Sequence, residues 1–196
     1  MMTYDDGGRF EDVSRILDAY LHSDAKASFF VLGDWMAQKA ANKTYRNASL
    51  IERIVNEGHL LGCHGFNHIL FTRLNQADID RQIELFFNLA DLIVPGYQVR
   101  YLRFPYGSRD AVVRRIIAAW GLQSVVWSLE SDGLDAKTAQ RVIGGASNGA
   151  IVLSHLLRKY DIIQAVDIVR GITANGFTLE TVEQGIAPEQ RRDTAT

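Results

Sequence analysis

Three short polar fragments of this 196-residue chain could build one hydrolytic site around a cation. They are Thr3-Tyr4-Asp5-Asp6-Gly7, His64-Gly65-Phe66-Asn67-His68 and Leu153-Ser154-His155. Together they offer one carboxylate and two imidazoles as ligands, a second carboxylate as a base and a distant histidine as an acid. His64 and His68 flank a segment containing Gly65, so a helical turn or a tight loop brings both rings to one side. Taken singly, the fragments read as a capping histidine with a surface histidine, a solvated Asp-Asp-Gly turn and a satisfied rim histidine. In combination, adjacent carboxylates leaving a strand end can point apart, one toward a metal and one toward a substrate.

The background composition suits such a site. Apolar residues make up 47% of the chain and charged ones 22%, as in a soluble globular domain with a core large enough to need no staples. A formal charge of -2 and a pI near 6.2 give no reason to expect nucleic acid as a partner. The single Cys63 excludes an intrachain disulfide and a thiolate-rich zinc cluster, so a metal must be held by histidine and carboxylate. No apolar stretch approaches the ~20 residues of a membrane span, and the start lacks the basic and apolar regions of a signal peptide. The chain as it stands reads as cytoplasmic, or as a cell-envelope or secreted protein if an export segment precedes it. The sequence leaves the oligomeric state open.

Short apolar runs alternate with helical patterns, which predicts strand-helix units and a parallel sheet. The candidate strands are Ala27 to Leu32, His59 to Cys63, Tyr101 to Phe104, Gln123 to Trp127, Ala150 to Leu153 and Phe177 to Val182. Helical spacing links Phe10, Val13, Leu17 and Leu21, then Leu50, Ile51, Ile54 and Val55 before a stop at Gly58. Asn75 is the expected N-cap of a helix carrying Ile79, Ile83, Phe86, Leu89 and Ile93. Val112, Val113, Ile116, Ile117 and Trp120 mark a fourth helix ended by Gly121, and Ile162, Val166, Val169 and Ile172 a late one. Met36 to Asn47 reads as a surface insertion with chance sequons at Asn42 and Asn47. One domain over 1–184 with a polar tail over 185–196 accounts for the whole chain.

Four polar clusters then fall at the C-terminal ends of expected strands, the rim where parallel α/β folds assemble active sites. His64 and His68 follow one strand, Arg103-Phe104-Pro105-Tyr106 closes another, Glu130 and Asp132 follow a third and His155 a fourth. Gly145-Ala146-Ser147-Asn148-Gly149 satisfies the G-x-S-x-G pattern of a serine hydrolase, but a helix precedes it and a strand follows, the reverse of a nucleophile elbow. It reads as a glycine-rich turn.

The ordered set resembles the polysaccharide deacetylase family, the NodB-homology domain of carbohydrate esterase family 4. The residues that carry the likeness are Thr3-Tyr4-Asp5-Asp6-Gly7, Ser28-Phe29-Phe30-Val31-Leu32-Gly33, Glu57-Gly58-His59 leading into His64-Gly65-Phe66-Asn67-His68, Arg103-Phe104-Pro105-Tyr106-Gly107 and Leu153-Ser154-His155. The resemblance implies a distorted (β/α)7-type barrel, with a truncated first strand here, that deacetylates N- or O-acetylated sugars of a glycan with a divalent metal. That metal is usually zinc, with cobalt or another divalent ion as alternatives. It implies Asp5 as base, Asp6, His64 and His68 as ligands, and His155 as acid. Arg103 would hold the base, the Tyr106 N–H would contribute to an oxyanion hole, Leu153 would line the acetyl pocket and Glu130 would support Arg103.

The chain departs from the family's commonest pattern at several points. Gly65 stands where Ser or Thr is frequent, Gly8 where Pro is frequent, Glu130 where Asp is usual, and no Trp follows Asp132-Gly133. Only Met1 and Met2 precede the first motif, so a base and a ligand are expected on a short strand prone to fraying. Other readings keep the fold but change the outcome, to an amidase or deformylase acting on a small or lipid-linked amide, or to a glycan-binding module without turnover.

Overall fold

The computed structural model describes residues 1–21, 23–41 and 43–186. Seven parallel strands order as β5-β4-β3-β2-β1-β7-β6: β1 Met2–Asp6, β2 Ala27–Val31, β3 Leu60–Cys63, β4 Tyr101–Leu102, β5 Gln123–Ser124, β6 Leu129–Glu130 and β7 Val152–His155. The sheet curls into a half-barrel whose open edges are β5 and β6. Around it run α1 Phe10–Asp18, α2 Gly33–Met36, α3 Ala48–Asn56, α4 Gln76–Ile93, α5 Ala111–Ala119, α6 Thr138–Gly144, α7 Lys159–Ile163, α8 Ala165–Ala174 and α9 Val182–Gly185. Among the described residues no helix is long and apolar enough to cross a membrane.

Period-two alternation along β1 places the chemistry. Thr3 and Asp5 turn inward, while Tyr4 turns toward the helices, stacks on Phe29 with centroids 5.3 Å apart and meets the Tyr20 hydroxyl at 3.0 Å. The short first strand is not loose. It pairs with β2 along Met2–Asp6 and with β7 from Met2 to Asp5, so two ladders hold the residues expected to fray.

Helix prediction succeeded where apolar periodicity and a cap agree. Asn75 accepts the Asp78 N–H at the start of α4, and Gly58 and Gly121 stand past the ends of α3 and α5 with φ of +79° and +74°. It failed where burial came from elsewhere. Leu21 lies beyond α1 and is 49% exposed, and the late helix is two, α7 and α8, separated at Gln164. Phe177 to Val182 forms no strand. Its backbone instead crosses the start of β2, where Leu179 O accepts from Lys26 and the Val182 N–H donates to Ser28, so its apolar residues plug the barrel bottom.

Met36 to Asn47 is more than a surface insertion. Met36 ends α2 and is buried, and the Asn47 amide is buried with its Nδ2 donating to Trp35 O at 2.8 Å, which removes it as a glycan acceptor. Asn42 and residues 187–196 of the expected tail lie outside the described residues. Ser147 is exposed in the turn between α6 and β7, at the opposite end of β7 from His155, so the serine-elbow geometry is not formed.

His59 links this packing to pH. Its ring meets Tyr20 and Phe29 edge-on, and its Nδ1 accepts the Ala27 N–H at 3.2 Å, which requires the neutral form. Burial first, then Lys26 and Arg53, pull its pKa from 6.5 to about 4. The unfolded chain therefore binds this proton at higher pH than the folded one, and stability is full above 6.5 and falls as pH drops toward 4. Urea unfolding across that window should show a loss of up to about 3 kcal/mol from this group. His59→Gln, which keeps an acceptor but cannot titrate, should flatten the dependence; an unchanged slope would contradict this origin.

Candidate active site

The C-terminal ends of β1, β3, β4 and β7 bring together the residues singled out in the sequence. One ligand atom each from Asp6, His64 and His68 lie within 4.8 Å of one another. Asp6 Oδ1 stands 3.4 Å from His64 Nε2 and 3.3 Å from His68 Nε2. Positive φ angles at Asp6 (+76°) and His68 (+55°) put both residues in a conformation that L residues seldom adopt, a strain typical of functional sites. Gly65 between the two histidines has φ +80°, which explains a glycine where the family often has Ser or Thr.

Donor chemistry tests the fit to a divalent cation. Arg103 O can only accept, so the 2.8 Å contact to His64 Nδ1 places the proton there and leaves the Nε2 lone pair toward Asp6. Two imidazoles and a carboxylate with a shared focus fit zinc or a similar divalent ion. The electrostatics agree. Burial opposes a charged His64, yet Asp5 and Asp6 outweigh it and raise its pKa. Burial would likewise raise Asp6, but the His64 hydrogen bond and the neighbouring histidines hold it below the usual carboxylate range. The focus is built to receive positive charge.

Beside this focus, Asp5 sits 3% exposed, its Oδ1 accepting from an Arg103 nitrogen at 2.8 Å. The same nitrogen donates to Thr3 Oγ1 at 2.6 Å, and Nε reaches Val125 O at 3.4 Å. The guanidinium is fully buried, 4.5 Å over the Phe30 ring and 5.7 Å from that of Trp127. Thr3 was missed in the sequence although its i, i+2 relation to Asp5 on a strand signals a shared face. Glu130 does not support Arg103. It lies within β6, exposed on the cleft wall, and makes no ion pair with the guanidinium, whose partners besides Asp5 are Thr3 and Val125.

Asp5, Asp6, His64, His68 and His155 line one cleft of about 340 Å³, open on one side and walled by Tyr106, Trp127 and Leu153. Tyr106 is 66% exposed, with its ring 4.3 Å from that of His68, and its φ of +58° turns the peptide. Gly107 and Ser108 donate their N–H groups to Phe104 O and Pro105 O, whereas the Tyr106 N–H makes no such backbone bond among the described residues. Leu153 is nearly buried and supplies an apolar wall. His155 has a pKa lowered by burial and by Arg158, against the pull of Asp5 and Asp6.

The family model for polysaccharide deacetylases matches residues 1–125, the stretch that carries Asp5, Asp6, His64, His68 and Arg103. The chain belongs to the polysaccharide deacetylase family. It is 28% identical over 187 residues to the peptidoglycan-N-acetylglucosamine deacetylase PgdA of Listeria monocytogenes, covering 93% of this chain and 38% of that protein. A peptidoglycan-N-acetylglucosamine deacetylase of Bacillus cereus is 31% identical over 166 residues, covering 79% and 54%. The chain thus spans about half or less of these relatives' length.

Among solved structures, peptidoglycan deacetylase PdaC of Bacillus subtilis matches this deacetylase-family fold with a TM-score of 0.82 at 26% identity, over 98% of this chain and 90% of that one. A CE4 family pseudoenzyme from Bacillus anthracis has the same fold at 21% identity and TM-score 0.82, over 94% and 63%. A protein described as a pseudoenzyme thus shares this fold.

Arg103→Met should leave Asp5 as a buried carboxylate without its cation and destabilise the protein by about 3–5 kcal/mol. Chemical denaturation measures this. The double variant Asp5→Asn with Arg103→Met should recover part of the loss, and a double variant no more stable than Arg103→Met would show that charge pairing is not the cause.

Proposed function

We propose that this protein is a metal-dependent deacetylase of an N-acetylated glycan, with peptidoglycan-type polymers as the first substrates to test. The observation that carries this reading is the focus of Asp6, His64 and His68 with Asp5 and His155 on the same cleft. The relatives' named substrates, N-acetylglucosamine and N-acetylmuramic acid of peptidoglycan, favour an N-acetyl over an O-acetyl group. A cleft open on one side, flanked by exposed Tyr106 and Leu157, favours a polymer over an enclosed small amide.

Asp6, His64 and His68 would hold the cation, which supplies Lewis acidity to the acetyl carbonyl and to the attacking water. Zinc suits these donors, and cobalt or another divalent ion is an alternative. Asp5 takes a proton from the water as its oxygen attacks the acyl carbon, and Arg103 holds that carboxylate in place. The Tyr106 N–H donates to the oxygen that gains charge. Leu153 packs against the acetyl methyl group and excludes water there. As the C–N bond breaks, His155 gives a proton to the leaving nitrogen, so acetate and a free amine depart.

Acetate release from chito-oligosaccharides, acetylxylan and peptidoglycan, with chelator and after zinc or cobalt restoration, tests the reading. Release should stop with chelator and return with metal. His68→Ala should abolish it together with metal binding. His155→Ala should keep metal affinity and slow turnover by about 10²–10⁴-fold. Release indifferent to chelator, or none from any of the three, would refute the proposal.

A further inference from the structure

Behind His155 lies a polar cluster that the mechanism has not used. Asp161, on α7, is fully buried, and its Oδ2 accepts the backbone N–H of His155 at 2.8 Å. The hydroxyls of Ser131 and Ser154 also face this carboxylate, and His155 Nδ1 is buried beside them with no hydrogen-bond partner among the described residues. Buried polar groups are costly unless they meet one another, so this cluster holds its members in fixed places. Burial pushes the pKa of Asp161 up, against the hydroxyls of Ser131 and Ser154, the His155 N–H and the nearby Arg158 charge.

Backbone geometry around Asp161 is arranged to admit it. Gly133 has φ +62°, and a Cβ there would come 2.4 Å from Asp161 Oδ2 and 2.8 Å from Arg158 Cβ, so only glycine lets the carboxylate in. The Tyr160 N–H donates to Gly133 O, and Arg158 donates to Asp132 O, which clamps the loop after β6 onto the turn after β7. His155 lines the cleft with Nδ1 buried, so Nε2 is the nitrogen that can reach a substrate. The direction of that ring depends on how the end of β7 is held.

We propose that Asp161 is the positioning residue of His155: by accepting the His155 N–H it fixes the end of β7 and so aims the imidazole into the cleft. The inference rests on the reading of His155 as the acid. Gly133 belongs to the same device, because its missing side chain makes room for the carboxylate. A side chain at position 161 with no acceptor frees the strand end and lets the imidazole leave its line, while the ligands on β1 and after β3 stay in place.

The test compares the zinc-loaded wild type with Asp161→Ala, Asp161→Asn, Gly133→Ala, His155→Ala and the Asp161→Ala, His155→Ala double variant. Metal content and kinetics of acetate release from chito-oligosaccharide are measured for each. Asp161→Ala should lower kcat at least about tenfold with KM within about twofold and full zinc content. Asp161→Asn keeps an acceptor and should restore most of kcat. Gly133→Ala, which displaces the carboxylate, should reproduce the kcat loss even if Asp161→Ala fails to fold.

In the double variant Asp161→Ala should add no further loss to His155→Ala, since it acts through that residue. Additive losses, a matching loss of zinc, or an Asn variant as impaired as Gly133→Ala would overturn the proposal. A wild type that holds zinc but releases no acetate from any glycan overturns instead the deacetylase reading and, with it, this role of Asp161.

Discussion

The Arg103 guanidinium lies wholly inside the barrel, and one of its nitrogens donates to both Thr3 and Asp5 across 98 or more positions of sequence. An isolated guanidinium could not be buried there, and an isolated carboxylate would be as costly, so each fixes the other. The same residue's carbonyl orients His64 through Nδ1. One residue at the end of β4 thus fixes the position of the expected base and the tautomer of an expected ligand. Phe30 beneath the guanidinium and Trp127 beside it close that interior to water and connect it to the cleft wall.

Around this pair, the cleft depends on backbone that departs from regular structure. Asp6, His68 and Tyr106 each have a positive φ despite carrying side chains. At Asp6 the departure brings two adjacent carboxylates to one cleft, where a continuing strand would send them to opposite faces of the sheet. At Tyr106 it turns a peptide N–H away from the bonds that its neighbours make. Two full ladders on β1 supply the stability against which such strain can be held.

Much of the fold was legible because local rules and global packing agree for it. The five-residue run of β2, buried throughout, reads as a strand from its unbroken apolar character, and α4 from its spacing and its Asn75 cap. Phe177 to Val182 misled because an apolar run that plugs the barrel bottom has the same pattern as one that joins a sheet. The split between α7 and α8 was hidden because their buried faces continue one helical phase across Gln164.

For the site, residue types and their order along the chain determined the chemistry. Two imidazoles and a carboxylate suit a cation, and a second carboxylate and a third histidine suit proton transfer. Tertiary structure alone decided the partners. Thr3 and Val125, not Glu130, receive the Arg103 protons, and Asp161, which no motif singles out, is buried against His155. The reason is that such contacts depend on the curl of the sheet and on where a loop crosses it. Those are set by the summed packing of the whole chain, and no local period of the sequence records them.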